Sequence, residues 1–377
     1  MAVLQPSGSD HCRPVTTSYC RCLRMEAGAP GKFFTRNRLL AFLLLVALGI
    51  PRVFGQQSAS LVSTGHTVPA KQILGLPPVP IPGDNPATQE TIVLGQQLFF
   101  DPILSGNGKF SCATCHKPQF GFADDKPVSP GATGKTSHRN VPAIVNAAYF
   151  ASLFWDGRIS TLEQQVKEPI ESPEEMASVP EAVVRNLNAD PTYRQEFTGI
   201  WGAGPITFEM VETSIAAYER TLLSGNSSFD RWKYGHDENA VSDSVKRGFA
   251  IFISPKKANC AVCHTVGDHY ALFTDNKFHD IGVGVDSNRF ADPGRFGVTG
   301  DESDRGKFKT PSLRNVSLTA PYMHDGSLKD LKQVLDFYIG AGNSHSNLDK
   351  EIHPLDFLTG QERRDLLSFL NSLNGQP

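Results

Sequence analysis

Cys112-Ala-Thr-Cys115-His116 and Cys260-Ala-Val-Cys263-His264 are two copies of one five-residue pattern. In the pattern Cys-x-x-Cys-His, both thiols add to the vinyl groups of a haem and the imidazole binds its iron. Long stretches rich in Gly, Pro, Asn and Asp contain or follow the motifs, at 101–142 and 265–327. Loops of this length need something to organise them, and a bound cofactor does so. The sequence therefore predicts two covalently attached haem c groups.

Two other kinds of site would use the same cysteines. Two Cys-x-x-Cys pairs can hold one zinc ion, and an oxidising compartment allows disulfides. A structural zinc site does not require a histidine after each cysteine pair, whereas haem attachment does. Haem c is therefore favoured over zinc and over disulfides.

The first 55 residues have the pattern of a secretory signal peptide. A basic cluster at 32–38 precedes an apolar run at 39–50, and a small-residue site follows at 53–55. The run is short for a membrane span, although an uncleaved membrane anchor is the alternative. The stretch before the basic cluster is longer than signal peptides usually have, which points to Met25 as the true start and to a mis-assigned extension before it. We expect a cleaved signal peptide and a periplasmic protein.

Removal of residues 1–55 changes the charge and the cysteine content. The whole chain has a net charge of −3, and the remaining part holds 29 Lys and Arg against 37 Asp and Glu, a net charge of −8. All four remaining cysteines belong to the two motifs, which suits an oxidising compartment. An acidic surface does not recruit nucleic acid; it favours a neutral or basic electron-transfer partner, or serves solubility alone.

The rest of the chain is predicted to be mainly α-helical. Residues 56–87 are rich in Ser, Gly and Pro and read as an extended lead-in outside the core. Helical patterns follow at 90–100, 161–168, 181–187, 207–223, 242–252, 328–338 and 359–373. Strand patterns are few and short, and the loops are long. A weak repeat, a helix rich in aromatic residues before each cysteine pair, indicates two tandem cytochrome c-like domains at 88–238 and 239–377, each holding one haem.

Longer phrases resemble the bacterial dihaem cytochrome c peroxidase family, which includes the MauG-type enzymes. They occur in the family's order: Phe110-Ser-Cys-Ala-Thr-Cys-His116, Arg139-Asn-Val-Pro142, Phe154-Trp-Asp-Gly-Arg158, Leu162-Glu-Gln-Gln165, Pro311-Ser-Leu-Arg-Asn315 and Thr319-Ala-Pro-Tyr-Met-His-Asp-Gly326. The resemblance runs from about residue 94 to the C terminus. It implies a peroxidatic haem at the first motif and an electron-storing haem at the second.

The resemblance also implies catalytic residues. Glu175 and Gln165 match the distal-pocket residues above the first haem, where a carboxylate assists O–O cleavage as general acid and base; Pro169 falls in the same segment. The alternative is that Glu175 belongs to a charged surface patch. Trp155 matches a tryptophan between the two haems that relays electrons, and core packing is its alternative role.

A calcium site is implied in the same way. Asn140, Thr319 and Pro321 match family positions that supply oxygen ligands to a calcium ion between the domains. One amide oxygen, backbone carbonyls and waters suit a hard cation of this kind. The prediction of calcium rests wholly on the resemblance.

Two positions depart from the peroxidases. Where they often carry a histidine that caps the first haem, this chain has Ala132, and the nearest imidazole is His138, which we interpret as structural or exposed rather than as a ligand that swings in. The first haem is then five-coordinate. Tyr338 falls where peroxidases place a methionine on the second haem, as in MauG-type members. An ordinary aromatic of an amphipathic helix is the alternative for Tyr338, and Met323 is the rival ligand.

The sequence leaves three functions open. The first is a peroxidase that reduces hydrogen peroxide with electrons from a small c-type cytochrome or another soluble donor. The second is a MauG-like enzyme that uses a high-valent haem state to oxidise a protein substrate. The third is a dihaem electron carrier without catalytic activity. The resemblance leaves a homodimer open.

Overall fold

The structure of the protein is a computed structural model that describes residues 72–375. The predicted signal peptide and residues 56–71 of the lead-in lie outside the described residues. The α-helices of the described part are α1 Gln89–Phe100, α2 Cys112–Cys115, α3 Leu162–Glu171, α4 Pro180–Ala189, α5 Pro191–Trp201, α6 Phe208–Glu219, α7 Ser228–Lys233, α8 Asp243–Ile253, α9 Phe296–Thr299, α10 Leu331–Ile339 and α11 Gly360–Asn371. Within residues 72–375 no helix is both long and apolar enough to span a membrane.

The β-structure of the described part is confined to two-residue strands. These are β1 Phe278–His279, β2 Val285–Asp286, β3 Arg289–Phe290 and β4 Phe308–Lys309. β1 pairs with β4 and β2 with β3, both antiparallel. The prediction of a mainly helical chain with long loops and few short strands is confirmed.

Every predicted helical segment overlaps an observed helix, and one longer helix was missed. Threonine side chains cap the first turns of α1, α3, α6 and α11 by accepting backbone N–H groups. The missed helix α5 starts in the same way, with Asp190 as N-cap and Pro191 in the first turn. Aspartate followed by proline is a recognised start signal, so α5 could have been predicted from the sequence.

Two helix pairs have the same packing. α1 packs against α6, and α8 packs against α11. A Cβ atom on Gly95 would lie 1.8 Å from the carbonyl oxygen of Ser214, and one on Gly248 would lie 2.0 Å from that of Asp365. The two helices of each pair therefore lie closer together than any side chain at the glycine would allow.

A second repeated unit spans residues 140–171 and 309–340, offset by 169 positions. Left-handed backbone conformations recur at equivalent places, namely Asn146 and Asn315, Phe154 and Met323, and Gly157 and Gly326. A β-bridge follows in each unit, Leu153 to Ile159 and Tyr322 to Leu328. α3 and α10 then begin at equivalent residues, Leu162 and Leu331. We call these stretches the first and the second repeat.

Reciprocal backbone hydrogen bonds join the two repeats. The N–H of Asn140 donates to the carbonyl oxygen of His324 at 2.7 Å. The N–H of Lys309 donates to the carbonyl oxygen of Trp155 at 2.8 Å. Residues 309 and 324 are the equivalents of 140 and 155, so each repeat donates and accepts the same bond.

The described hydrophobic core contains two large clusters, one drawn from residues 94–222 and one from 229–373. The end of the lead-in also packs inward, contrary to our expectation: Leu76 is 6% exposed, and the carbonyl oxygen of Gly75 accepts a hydrogen bond from Arg314. Arg314 also forms a bidentate ion pair with the buried carboxylate of Asp230, at 2.8 and 2.9 Å. The hydrogen bond from this buried guanidinium to the carbonyl oxygen of Gly75 holds the end of the lead-in against the core.

Candidate active site

One cavity of about 1350 Å³ is lined by both Cys-x-x-Cys-His motifs. The structure brings every site residue predicted from the sequence to its wall: Cys112, Cys115, His116, Asn140, Trp155, Gln165, Glu175, Cys260, Cys263, His264, Thr319, Pro321 and Tyr338. Residues far apart in the chain thus face a common space that is large enough for bulky cofactors.

The two motif histidines have the same orientation. Nδ1 of His116 lies 3.0 Å from the carbonyl oxygen of Phe122, and Nδ1 of His264 lies 2.9 Å from that of Phe273. A carbonyl can only accept, so Nδ1 carries the proton in each ring and Nε2 is left with its lone pair. This is the tautomer that binds a metal, and the hydrogen bond fixes the plane of the ring.

The charge state of both motifs suits a haem c. Burial lowers the pKa of His116 and of His264, so both imidazoles are neutral at pH 7. Burial also raises the pKa of the Cys115 thiol to about 11 and that of Cys260 to about 12. None of the four cysteines is in a disulfide. Unpaired thiols next to a neutral imidazole, on the wall of a large cavity, fit thioether attachment of one haem at each motif.

Gln165, Pro169 and Glu175 form one part of the cavity wall near the first motif. Gln165 and Pro169 are four residues apart on α3 and so lie on the same face. The chain then turns back, with the N–H of Met176 donating to the carbonyl oxygen of Pro169 at 3.0 Å. Burial raises the pKa of Glu175, opposed by the positive charge of Arg158. A buried carboxyl group with a raised pKa, on the wall of a cavity, is suited to acid–base chemistry.

The loop at 129–134 is fixed against this wall. The N–H of Ala132 donates to the carbonyl oxygen of Glu175 at 2.6 Å, and Thr133 Oγ1 donates to that of Pro173, also at 2.6 Å. The side chain of His138 is 84% exposed and pairs with Glu174 at 3.0 Å. His138 is therefore an exposed histidine, as we expected.

Trp155 lies where the two repeats meet. Its Nε1–H donates to the carbonyl oxygen of Asn140 at 2.8 Å, and its own carbonyl oxygen accepts the N–H of Lys309. The indole thus has its one polar atom satisfied within the first repeat while its backbone is bound to the second. Packing and a place on the cavity wall are combined in one residue.

Tyr338 faces the cavity from α10 near the second motif. Burial and the nearby Cys260 and Cys263 raise the pKa of its phenol. Phe337 packs edge-on against it. In the first repeat the equivalent position is Pro169, which has no side-chain atom able to bind a metal. A potential ligand therefore lines the cavity in the second repeat and is missing from the equivalent place in the first.

The three residues predicted to bind calcium share the cavity wall. Nδ2 of Asn140 donates to the carbonyl oxygens of Lys126 and Pro127, at 3.0 and 3.2 Å. These bonds fix the amide and leave its oxygen for another partner. Thr319 uses its hydroxyl locally, donating to the carbonyl oxygen of Val316 at 3.2 Å.

Several buried titratable side chains on the wall were missed from the sequence, among them Glu219 and Lys309. Burial raises the pKa of Glu219 to about 8, so this carboxyl is protonated at neutral pH. Lys309 is 6% exposed and also lines the cavity. Glu219 gave no signal, because it sits in an ordinary amphipathic helix. The 169-residue offset aligns Lys309 with Asn140, and this alignment indicates that Lys309 also lines the cavity.

Comparison with known proteins defines the class. The family model of the di-haem cytochrome c peroxidases matches residues 89–238. Over 302 residues the chain is 42% identical to the methylamine utilization protein MauG of Methylorubrum extorquens, covering 79% of this chain and 82% of that protein. It is 36% identical to the cytochrome-c peroxidase IdrP1 of Pseudomonas sp. (strain SCT), covering 79% of this chain and 84% of that one.

A solved structure has the same fold. It is a MauG-like protein associated with microbial copper homeostasis, with a TM-score of 0.71 and 34% identity, covering 80% of this chain and 94% of that chain. Fold and site together define a c-type cytochrome with two haems. More specifically, the chain belongs to the di-haem cytochrome c peroxidase family and is an oxidoreductase of the peroxidase type.

Proposed function

We propose that the protein reduces hydrogen peroxide to water at the haem held by the first motif, with electrons supplied through the haem of the second motif. The observation that carries this proposal is the difference between Pro169 and Tyr338. The wall near the first motif offers Glu175 for acid–base chemistry and Gln165 for hydrogen bonding, whereas Pro169 has no ligand atom. The wall near the second motif offers the phenol of Tyr338, which would be able to bind the iron of the second haem.

When bound, a haem c supplies the iron at which peroxide is cleaved and electrons are exchanged. The overall reaction consumes one peroxide, two electrons and two protons and gives two waters. The Glu175 carboxylate accepts a proton from the entering peroxide and returns it to the departing oxygen. Gln165 orients the small molecule, and His116 Nε2 is held in place by the bond to Phe122. Trp155 relays electrons between the two sites.

The architecture supports a division of labour between two domains. We assign residues 88–238 to the peroxidatic domain and 239–377 to the electron-transfer domain. The two helix pairs, the two hydrophobic clusters and the two repeats support this boundary. The donor in this proposal is a small c-type cytochrome or another soluble carrier, and the location is the periplasm, after cleavage of the signal peptide.

A second function is favoured by Tyr338. Oxidation of a protein substrate, in the manner of MauG-type enzymes, fits Tyr338 as a residue that would hold the iron of the second haem, since a phenolate ligand would stabilise oxidised iron. The 42% identity to a methylamine utilization protein supports the same function. Peroxide would remain the oxidant, and the reductant would be a side chain of the partner protein.

One experiment separates these functions. The ferric spectrum of the purified protein is recorded before and after peroxide, followed by stopped-flow turnover with a reduced small c-type cytochrome. A peroxidase oxidises the cytochrome for many turnovers, whereas a MauG-type enzyme gives a long-lived oxidised species and turns over poorly. Two six-coordinate haems without any reaction with peroxide would contradict both.

Tyr338→Phe tests the ligand in the same assay, with Phe337→Leu as its control. Loss of the phenol is expected to change the spectrum of the second haem alone. The Phe337→Leu control should leave that spectrum unchanged, because Phe337 offers no ligand atom. If Tyr338→Phe has the wild-type spectrum, Tyr338 is not the sixth ligand and the case for a MauG-type function is lost.

Calcium at Asn140, Thr319 and Pro321 belongs to the same proposal. It is supported by the common place of the three residues on the cavity wall and by the free oxygen of the Asn140 amide. Dialysis against a calcium chelator is expected to lower the rate of cytochrome oxidation, with recovery on adding calcium. An unchanged rate, and no calcium in elemental analysis, would contradict it.

A further inference from the structure

Lys309 carries a buried cation that forms no salt bridge within the described chain. Its side chain is 6% exposed, and its Nζ lies 3.4 Å from the carbonyl oxygen of Thr310 and 4.1 Å from the ring centroid of Phe150. The fully buried guanidinium of Arg314, by contrast, is paired with the carboxylate of Asp230. Among the buried cations on this wall, Lys309 is held only by a carbonyl and an aromatic ring.

A buried ammonium needs an anion to be stable in its charged form. Transfer of an isolated charge from water into a protein interior costs several kcal/mol unless a partner compensates. Burial lowers the pKa of Lys309 to about 8, which still leaves the side chain mostly protonated at pH 7. Asp275 interacts electrostatically with Lys309, but its carboxylate is bound to His279 at 2.9 Å. Lys309 lines the cavity, so a further anion can reach it from that space.

The backbone places Lys309 beside the second motif. β4 pairs with β1 at Lys309 and Phe278. The next residue along, Thr310, accepts a hydrogen bond from Thr274 Oγ1 at 2.7 Å. Thr274 directly follows Phe273, whose carbonyl oxygen orients His264. A short chain of contacts thus connects the ammonium to the imidazole of the second motif.

A second polar group nearby also lacks a partner. Ser152 lines the cavity two residues after Phe150, the residue whose ring contacts the Lys309 ammonium. Its hydroxyl is buried and makes no hydrogen bond within the described residues. A Cβ atom on Gly157 would lie 2.9 Å from Ser152 Oγ and 2.2 Å from the ring of Phe278, the β1 partner of Lys309, so the hydroxyl lies beside this strand pair. A hydroxyl donor and an ammonium donor in this region fit an acceptor with two oxygens, such as a carboxylate.

We propose that Lys309 binds a propionate carboxylate of the haem attached through Cys260, Cys263 and His264. Propionates are the anionic side chains of a haem, and this haem is the group expected closest to Lys309. The proposal rests on haem attachment at the second motif and holds for either reaction considered above. It makes Lys309 a positioning residue that fixes the haem plane and adds a positive charge beside it.

The first repeat provides an internal contrast. Asn140, the equivalent of Lys309, is uncharged, and its amide is engaged with the carbonyl oxygens of Lys126 and Pro127. The chain therefore places a fixed cation on one side of the boundary between the repeats and a neutral amide on the other.

The test compares Lys309→Met with Lys307→Met. Lys307 is also on the segment leading to β4, but it is partly exposed and pairs with Asp304 at 3.3 Å. Haem content is measured first, then the midpoint potential of each haem by spectroelectrochemical titration. The propionate bending bands are recorded by resonance Raman spectroscopy.

Lys309→Met is expected to lower the potential of the second haem, because a nearby cation favours the ferrous form. At a fixed ambient potential its ferric-to-ferrous ratio should rise on the order of tenfold, the effect of one partly screened charge at short range. The propionate bands of this haem should shift, and Lys307→Met should leave both readouts unchanged.

Several outcomes would overturn the proposal. Unchanged potentials with unchanged propionate bands exclude a bond to either haem, and a shift confined to the first haem contradicts the assignment. If Lys309→Met fails to fold, Lys309→Arg and Lys309→Gln replace it, with Arg expected to keep the potential and Gln to lower it. Equal potentials in these two variants contradict the proposal. A wild-type protein lacking two haems would contradict the proposed function instead.

Discussion

The first repeat, residues 140–171, and the second, residues 309–340, follow the same backbone path and present different side chains to the cavity. Left-handed turns, a β-bridge and a helix start recur at equivalent positions. Trp155 in the first repeat is replaced by His324 in the second. His324 stacks on Phe308 with ring centroids 3.6 Å apart, and burial lowers its pKa to about 4. An oxidisable indole thus has a neutral imidazole as its counterpart.

The repeats differ most in charge. Val145 and Asn140 of the first repeat correspond to Arg314 and Lys309 of the second, so two buried cations replace two neutral side chains. Positive charge near a haem stabilises its reduced state, since the ferrous form has one positive charge less. The comparison shows how one backbone unit, used twice, can present side chains of unlike charge to one cavity.

The largest effect is expected at Glu175, the acid–base group that follows the first repeat on the cavity wall. Glu175→Gln should slow the reaction with peroxide by about 10²–10⁴-fold, the usual contribution of a general acid–base residue. Stopped-flow mixing with peroxide measures the rate. Glu174→Gln is the matched control, because Glu174 pairs with the exposed His138. Equal rates in both variants would remove Glu175 from the mechanism.

A large loss of stability is expected when the charge of Arg314 in the second repeat is removed. Arg314→Met leaves the buried carboxylate of Asp230 without its partner, which should cost about 3–5 kcal/mol of unfolding free energy. Arg247→Met is the control, since it also removes an arginine–aspartate pair but at an exposed arginine. Urea unfolding of the haem-loaded proteins provides the comparison. Similar losses would show that burial of the pair does not matter.

A smaller effect is expected where the repeats meet. Trp155→Phe removes the hydrogen bond to Asn140, which should cost about 1 kcal/mol, and it should also slow electron transfer between the haems. Trp201→Phe is the control, because Trp201 stacks on Phe197 and its Nε1 makes no hydrogen bond in the described chain. Flash reduction followed by optical detection measures the transfer. If both variants transfer electrons at the wild-type rate, Trp155 is a packing residue only.

The smallest effect is a change in pH dependence. The carboxylate form of Glu175 is needed to accept a proton, so the peroxide rate should fall as the pH drops through its pKa. Burial raises that pKa, so the fall should begin above the value of 4.5 for an ordinary glutamate. A rate profile from pH 4 to 8 shows this limb, and Glu175→Gln should lack it. The same limb in the variant would assign it to another group.

The helices, and the presence of the proposed site residues on one cavity wall, could be predicted because each depends on local pattern or on phrases such as Phe154-Trp-Asp-Gly-Arg158. The inward packing of residues 73–77 could not, because it depends on Arg314 more than 200 positions away. Lys309 was missed for a related reason. A lysine in a loop looks solvent-exposed until the structure shows the strand pair and the cavity that enclose it.

The reciprocal bonds of Asn140 with His324 and of Lys309 with Trp155 use only main-chain atoms. Any residue with a backbone N–H can make them, so a substitution at one of these four positions can change what its side chain does without breaking the bonds between the repeats. The contact between the repeats is thus specified by the backbone, and the chemistry of the cavity by the side chains, so the two can change independently in evolution.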